Sequence, residues 1–186
     1  MKIQECLSRI QQEISTAVAR VDAAECERLT DAIENADRIF VAGLGRSGLM
    51  TKAFAMRLVH LGFRVHVVGE TTTPNITEKD LLIIGSGSGE TGSLITIAAR
   101  AAALNVETAV LTINPGSTVA QRASIVVRIP ATTAKTTHSS DIPSIQPRGS
   151  LFEQSLLLVF EAVVLYLMER RGMKLEDVFT LHANLE

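Results

Sequence analysis

The sequence predicts an α/β fold with a five-stranded parallel sheet and helices on both faces, a Rossmann-like three-layer sandwich. Short apolar runs alternate with helical segments along most of the 186 residues, and this alternation is typical of parallel sheets. Two of the runs end in glycine-rich loops that lead directly into helices. Ligands of such sheets bind at this edge. We expect a single domain over 1–186, with an N-terminal helical arm at 1–34 and a C-terminal helix and tail at 150–186.

Composition argues against several classes of function. Net charge is −2, aromatic content is 4%, and there is neither a basic run nor a tryptophan, so we expect no nucleic-acid partner. Cys6 and Cys26 both lie near the N-terminus and fit a reduced, intracellular protein. No signal peptide is apparent, and the longest apolar stretch, 156–168, is interrupted by Glu161 and short for a bilayer. We therefore expect a cytoplasmic protein with no membrane partner.

The N-terminal arm is predicted to be helical over 2–34, because Ile3, Leu7, Ile10 and Ile14 recur at three- and four-residue spacing. This apolar stripe could pack on its own domain or on a neighbouring subunit, and the sequence leaves both possibilities open.

Strands and helices alternate after the arm. Strands are predicted over 38–42, 64–68, 81–84, 106–113 and 124–129, and helices over 49–61, 93–104, 118–122 and 150–171. The polar connection 130–149 contains three prolines, and a loop of this length is more often functional than idle. In the last helix, Ser150 and Glu153 have the spacing of a capping box. That helix is apolar nearly all round over 156–168, so we expect it to be buried, between subunits if the protein is an oligomer.

The loop at 85–91 carries the clearest functional signal. Its sequence is Gly-Ser-Gly-Ser-Gly-Glu-Thr, between a buried strand and a helix. Glycines let the backbone approach a ligand closely, and a helix N-terminus offers free N–H groups. Hydroxyls add further donors, so the loop predicts a phosphate cradle without Lys or Arg. Glu90 could orient this cradle or bind a sugar hydroxyl.

The glycine motif at 43–48 admits a second interpretation. Gly43, Gly45 and Gly48 fit G-x-G-x-x-G between a strand and a helix, and Glu70 follows about 20 residues later, as in dinucleotide-binding sites. A dinucleotide fold needs one phosphate turn, however, and the hydroxyl-rich second loop argues against an NAD-dependent enzyme. Calorimetry with a dinucleotide would separate the two interpretations.

Among the titratable residues, Glu153 is the strongest candidate for a general base. It lies in the first turn of a buried helix directly after the long connection. Glu161 is its rival, read as a structural or interface carboxylate. Arg46 could face a substrate anion or form a surface salt bridge. His182 could be a solvated tail residue or an acid–base group. No spacing of ligands indicates a metal site, and no nucleophilic triad is apparent.

Several of these motifs together resemble one family. The blocks 43–48 and 85–91 resemble the sugar isomerase (SIS) domain, and further blocks narrow the resemblance to the 6-phospho-3-hexuloisomerase family. These further blocks are 52–58, 68–74, 149–154 and 182–186.

The resemblance implies a homotetramer that interconverts D-arabino-3-hexulose 6-phosphate and D-fructose 6-phosphate without a cofactor, in the ribulose monophosphate pathway of formaldehyde fixation. It also implies roles for individual residues. Glu153 would be the base, and Arg46 and His182 match, more loosely, a loop lysine and a tail histidine of arabinose 5-phosphate isomerases. The substrate-binding residues would be Arg46, Ser47, Ser86, Gly87, Ser88, Gly89, Glu90 and Thr91, with Ser86, Ser88 and Thr91 on the phosphate.

Two alternatives remain at the level of the sequence. One is another phosphosugar isomerase, of the arabinose 5-phosphate type. The other is a non-catalytic sugar-phosphate-binding module, although such modules usually accompany a DNA-binding domain, for which the chain has no spare length.

Overall fold

A computed structural model describes residues 1–132 and 142–179 and has the predicted α/β architecture. Its strands are β1 (Ile39–Gly43), β2 (Val65–Val67), β3 (Leu81–Gly85), β4 (Glu107–Thr112) and β5 (Ile125–Arg128). Its helices are α1 (Ile3–Val18), α2 (Ala23–Asn35), α3 (Gly45–His60), α4 (Gly92–Ala103), α5 (Ser150–Arg170) and α6 (Leu175–Phe179), with a 3₁₀ turn at Ala120–Arg122. The prediction of five strands is confirmed.

All strand pairs are parallel, in the order β2-β1-β3-β4-β5. The chain leaves β1 toward one edge of the sheet and β3 toward the other, so a crevice opens between their carboxyl ends. Gly43 and Gly85 are register partners at the ends of these two strands. The two glycine-rich loops therefore lie side by side.

Helices cover both faces of the sheet, as a parallel sheet requires. On one face, α1, α2, α3 and α5 enclose the larger apolar cluster, and on the other, α4 and the 3₁₀ turn enclose a smaller one. Within the larger cluster the rings of Phe54 and Phe160 stack with centroids 4.1 Å apart and planes 7° apart. This stack joins α3 to α5 in the core.

The prediction of one helix over 2–34 is wrong, because the chain forms two helices with a break at residues 19–22. Asp22 begins the second helix by accepting a hydrogen bond from the backbone N–H of Ala24 at 2.9 Å. Aspartate competes with helical geometry in this way when it lies at an N-cap. Both helices pack against α5 of the same chain.

The capping box predicted at the start of α5 is not formed. The N-cap residue is Gly149, with φ 96°, and no side chain caps the helix. A left-handed conformation of this kind suits glycine. The Glu153 carboxylate bonds to Arg46 instead of turning back to the helix start.

Helix α5 is long and apolar enough to cross a membrane by length and composition alone. The most apolar window of this helix is 56% buried inside the protein, which is typical of a core helix. We interpret α5 as the central helix of the larger apolar cluster.

A buried carboxylate joins the starts of β1 and β3. Asp80 accepts hydrogen bonds from Arg38 Nε at 3.0 Å and from Arg38 Nη2 at 2.8 Å. The backbone N–H and hydroxyl of Thr77 donate to the same carboxylate. Burial alone would raise the pKa of Asp80, but the bonds from Arg38 and Thr77 lower it below the ordinary value.

Candidate functional site

A cavity of about 210 Å³ lies at the carboxyl ends of β1 and β3, where the strand order reverses. Three loops line it: the first glycine motif, the 85–91 loop, and the turn before α5. The lining residues include Leu44, Ser47, Gly85, Ser86, Gly87, Ser88, Thr91, Arg148, Gly149, Phe152 and Glu153. The cavity thus brings Glu153 to the predicted phosphate cradle, although these residues are far apart in the chain.

The serines of the 85–91 loop each accept a hydrogen bond from the loop backbone. Ser86 Oγ accepts from Gly89 N at 3.2 Å, and Ser88 Oγ accepts from Glu90 N at 3.2 Å. A hydroxyl that accepts in this way keeps its proton to donate. Thr91 is the N-cap of α4 and makes no side-chain capping bond. Three hydroxyls and a helix N-terminus can therefore donate to an anion in the cavity.

The Gly89–Glu90 end of the loop is fixed to the turn after β4. Gly89 has φ 63°, and a Cβ there would lie 2.0 Å from Ser117 Oγ. Glu90 Oε1 accepts a hydrogen bond from Thr118 N at 2.7 Å, and this bond lowers the pKa of Glu90. Neither residue lines the cavity. Of the two roles considered for Glu90, this geometry favours orienting the cradle.

The glycines of the first motif serve close packing between β1 and α3. A Cβ on Gly48 would lie 2.6 Å from the Gly43 carbonyl oxygen, closer than any side chain tolerates. Gly45 has φ 57° and has open space around it. The spacing of Gly43 and Gly48 is therefore explained by helix–strand contact, without a pyrophosphate ligand.

Arg46 and Glu153 form an ion pair in which Arg46 Nε donates to Glu153 Oε2. The Arg46 side chain is 65% exposed, whereas the Glu153 side chain is only 12% exposed. Arg46 itself does not line the cavity, and its partner does. The ion pair orients a carboxylate that opens into the cavity.

Glu161 and the two described histidines, His60 and His66, do not line this cavity. Glu161 pairs with Arg57 at 3.6 Å on a partly exposed surface, as expected for a structural carboxylate. His60 is buried, and the ring of His66 lies 5.2 Å from that of Phe40. His138 and His182 lie outside the described residues. The described parts of the chain contain no group of three or more His, Cys, Asp or Glu that could hold a metal.

Arg148 is the charged lining residue that the sequence analysis missed. It precedes the N-cap glycine of α5 by one residue, at the end of the long polar connection. A cation five residues before the candidate base was the available signal, but only the fold shows that it reaches the cavity.

Comparisons with known proteins find a matching family model and similar sequences. The family model of the SIS domain matches residues 32–157. The 3-hexulose-6-phosphate isomerase of Bacillus subtilis (strain 168) is 50% identical over 186 residues, which cover 100% of both chains. The 3-hexulose-6-phosphate isomerase of Mycobacterium gastri is 45% identical, over 97% of this chain and 89% of the relative.

A solved structure is also similar. It is a hypothetical protein from Methanococcus jannaschii, for which a molecular function of 3-hexulose-6-phosphate isomerase was inferred from the crystal structure. The two chains are 32% identical, with a TM-score of 0.84 over 98% of this chain and 99% of the other. The similarity therefore extends over the fold as well as the sequence.

Proposed function

The chain belongs to the SIS domain family, and from this premise we propose that it is a 3-hexulose-6-phosphate isomerase. The single observation that carries the proposal is the cavity in which the hydroxyl-rich loop 85–91 meets the carboxylate of Glu153. An isomerase of the aldose/ketose type that acts on a sugar phosphate needs a site that binds the phosphate and a general base that moves the proton. Full-length identity of 50% to the B. subtilis enzyme supports the specific substrate.

The reaction moves a carbonyl group from C3 to C2 of the hexulose 6-phosphate. Glu153 takes the proton from C2, which leaves a 2,3-enediolate, and returns a proton to C3. A second proton passes between O2 and O3, by way of His182 or a water molecule. One carboxylate serves both carbons when both present the same face to it. Arg46 holds Glu153 through an ion pair, and we propose that it also stabilises the enediolate when substrate is bound.

The two sugars differ in how they enter the reaction. In the 3-ketose, O6 is phosphorylated and O5 could close only a four-membered ring, so this sugar stays open. Fructose 6-phosphate closes through O5 and must open before its C3 proton can be removed. An acid for ring opening is therefore needed mainly from the fructose side, supplied by His182 or by another group.

The phosphate is held by Ser86, Ser88 and Thr91, with Ser47 as a further contact from the first loop. Backbone groups at Gly87 and Gly89 shape the cradle. The support is the arrangement of hydroxyl donors around the cavity together with the N-terminus of α4.

We propose the ribulose monophosphate pathway of formaldehyde fixation as the physiological setting and the cytoplasm as the location.

We also propose that 1–186 forms one domain that assembles as a homotetramer. Apolar side chains on α3 and α5 remain exposed in the isolated chain, among them Met56 at 56% and Leu165 at 61%. Large apolar side chains exposed on two helices favour association where they form one patch. Light scattering of the purified protein tests this, and a monomer of 20.0 kDa at micromolar concentration would contradict it.

The decisive experiment is a coupled assay in which fructose 6-phosphate formed from D-arabino-3-hexulose 6-phosphate is oxidised through a dehydrogenase. We expect turnover with this substrate and much less with arabinose 5-phosphate. Faster turnover of arabinose 5-phosphate would favour the alternative isomerase. Binding of fructose 6-phosphate without turnover in either direction would favour a sugar-phosphate-binding module.

A further inference from the structure

The carboxylate of Glu13, on α1, holds the segment that leads into the active-site turn. It accepts hydrogen bonds from Ser144 Oγ at 2.6 Å, from the backbone N–H of Ile145 at 2.9 Å and from Gln146 Nε2 at 3.0 Å. Ser144 Oγ in turn accepts from the backbone N–H of Gln146 at 3.0 Å. One side chain of the N-terminal arm thus anchors three consecutive residues of a distant loop.

The hydrogen bonds to Glu13 favour its ionised form. Burial alone would raise the pKa of Glu13, but the bonds from residues 144–146 and the nearby charge of Arg9 lower it. A carboxylate that accepts several hydrogen bonds is held in its ionised form, and bonds to an ionised acceptor are stronger than neutral ones. Glu13 therefore fixes this segment at neutral pH.

The anchored segment determines where Arg148 lies. Only Pro147 separates Gln146 from Arg148, and proline fixes its own φ and restricts the residue before it. The backbone N–H of Ser150 donates to the Pro147 carbonyl at 3.0 Å and closes a turn around Arg148. Gly149 follows with φ 96° and begins α5. Arg148 is therefore fixed between a hydrogen-bonded anchor and the start of a buried helix.

Arg148 supplies a charge that the rest of the cavity lacks. Among the described residues that line the cavity, it is the one cation, since Arg46 pairs with Glu153 outside the lining. Ser47, Ser86, Ser88 and Thr91 contribute neutral hydroxyls. A sugar phosphate carries between one and two negative charges at neutral pH. Guanidinium groups bind phosphate strongly and often in a bidentate fashion.

We propose that Arg148 is a substrate-binding residue that contacts the phosphate of the phosphosugar, and that Glu13 is a positioning residue that sets Arg148 through residues 144–146. This inference rests on the proposed function, because it takes the ligand of the cavity to be a sugar phosphate. It adds a cation to a cradle that the sequence predicted to consist of hydroxyls and backbone alone.

Glu25 provides a matched control for Glu13. It lies on α2 of the same arm and accepts a hydrogen bond from the backbone N–H of Arg128 at 2.9 Å. That bond holds the last residue of β5, just before the long connection, whereas Glu13 anchors the end of the connection. Glu25→Gln therefore disturbs a similar contact of the arm without disturbing the segment before Arg148.

The experiment compares Arg148→Met, Glu13→Gln, Glu25→Gln and the double variant Glu13→Gln/Arg148→Met. Isothermal calorimetry gives dissociation constants for inorganic phosphate and for fructose 6-phosphate, and steady-state kinetics give kcat and KM. We expect Arg148→Met to weaken the binding of both ligands by about tenfold at low salt and to raise KM by a similar factor. Because the contact is exposed to solvent, this loss should shrink as ionic strength rises.

Glu13→Gln should weaken phosphate binding by roughly threefold in the wild-type background. In the Arg148→Met background it should have almost no further effect, because its influence passes through Arg148. Glu25→Gln should leave both dissociation constants unchanged. If Glu13→Gln does not fold, as judged by thermal unfolding, Ser144→Ala replaces it in the cycle, because it removes two bonds of the same network.

Three results would overturn the proposal. Unchanged phosphate affinity in Arg148→Met would remove Arg148 from the phosphate site. Additive effects in the double variant would show that Glu13 acts by some other route. An equal loss of phosphate affinity in Glu25→Gln would show that Glu13→Gln acts by destabilising the protein in general. A wild-type protein without isomerase activity would instead refute the proposed function, and that result is separate from all three.

Discussion

Arg46 and Glu153 are 107 residues apart in the chain, yet the guanidinium of one donates a hydrogen bond to the carboxylate of the other. Each lies in the first turn of a helix, α3 and α5 respectively, and both helices begin at the cavity. The pair fixes the candidate base, which lines the cavity, through a residue that does not line it. A base that is oriented before substrate arrives needs less reorganisation during proton transfer.

Glu153→Gln should lower kcat by about 100- to 10,000-fold, because the amide cannot accept the C2 proton. Affinity for fructose 6-phosphate should change little, since the cradle is intact. Loss of deuterium exchange at C2 of the 3-ketose, followed by NMR, checks the proton-transfer step directly. Glu161→Gln, on the same helix and paired with Arg57, is the control and should retain activity. If the Glu153→Gln variant turned over at a near-normal rate, Glu153 would not be the base.

Ser86→Ala combined with Ser88→Ala should weaken the binding of fructose 6-phosphate far more than the binding of unphosphorylated fructose. Each substitution removes a hydroxyl that donates to the charged phosphate, and we expect each to lower the affinity for fructose 6-phosphate by about tenfold. Competition binding with the two sugars measures the difference. Ser93→Ala, an exposed position on α4, is the control. Equal weakening of both sugars would mean that the loop holds another part of the ligand.

Gly48→Ala should destabilise the fold more than Gly45→Ala does. A methyl group at position 48 would meet the backbone carbonyl of Gly43 at 2.6 Å, which forces α3 away from β1. We expect a loss of about 2–3 kcal/mol in the free energy of unfolding. At position 45 the cost is the left-handed backbone alone, about 1 kcal/mol. Urea unfolding of both variants tests the order, and the reverse order would contradict the packing explanation.

Asp80→Asn should lower the free energy of unfolding at pH 7 by about 3 kcal/mol, because it breaks a buried pair with Arg38. The pKa of Asp80 is lowered in the folded protein, so its contribution is present above about pH 4 and is lost as pH falls through the folded value. The difference in the free energy of unfolding between wild type and variant should therefore shrink as the pH falls.

Thermal unfolding from pH 7 to pH 3 measures that gap. Asp31→Asn, which breaks an exposed pair with Arg170, should cost less than about 1 kcal/mol and serves as the control. A gap that stays constant in acid would argue against an ionised Asp80 as the source of stability.

His182→Ala should slow the reaction from fructose 6-phosphate more than the reaction from the open-chain 3-ketose, if His182 opens the ring. The Haldane relation fixes the ratio of kcat/KM in the two directions, so the asymmetry must appear in kcat or in the supply of open-chain sugar. Initial rates in both directions measure it. Equal slowing would assign His182 to proton transfer between O2 and O3. Full activity after truncation at Leu181 would remove the tail from the mechanism.

The sheet was predictable because each strand is a short buried run whose neighbours along the chain are helical. What the sequence could not supply were contacts between distant residues. The periodicity of apolar residues continues through 19–22, so it conceals the break at Asp22. The spacing of Ser150 and Glu153 suggests a cap, but Arg46 takes the carboxylate. The roles of Glu90 and Arg148 likewise depend on turns that only the fold brings together.

The stacked rings of Phe54 and Phe160 have a consequence for how the protein loses its binding site. Both rings are almost fully buried, and they join the two helices that begin at the cavity. Local unfolding in the middle of either helix would expose these rings to water, so opening of the site by local unfolding is costly. Backbone amides midway along α3 and α5 should exchange with solvent deuterium only through global unfolding. Heat should accordingly abolish ligand binding and tertiary structure in a single cooperative transition.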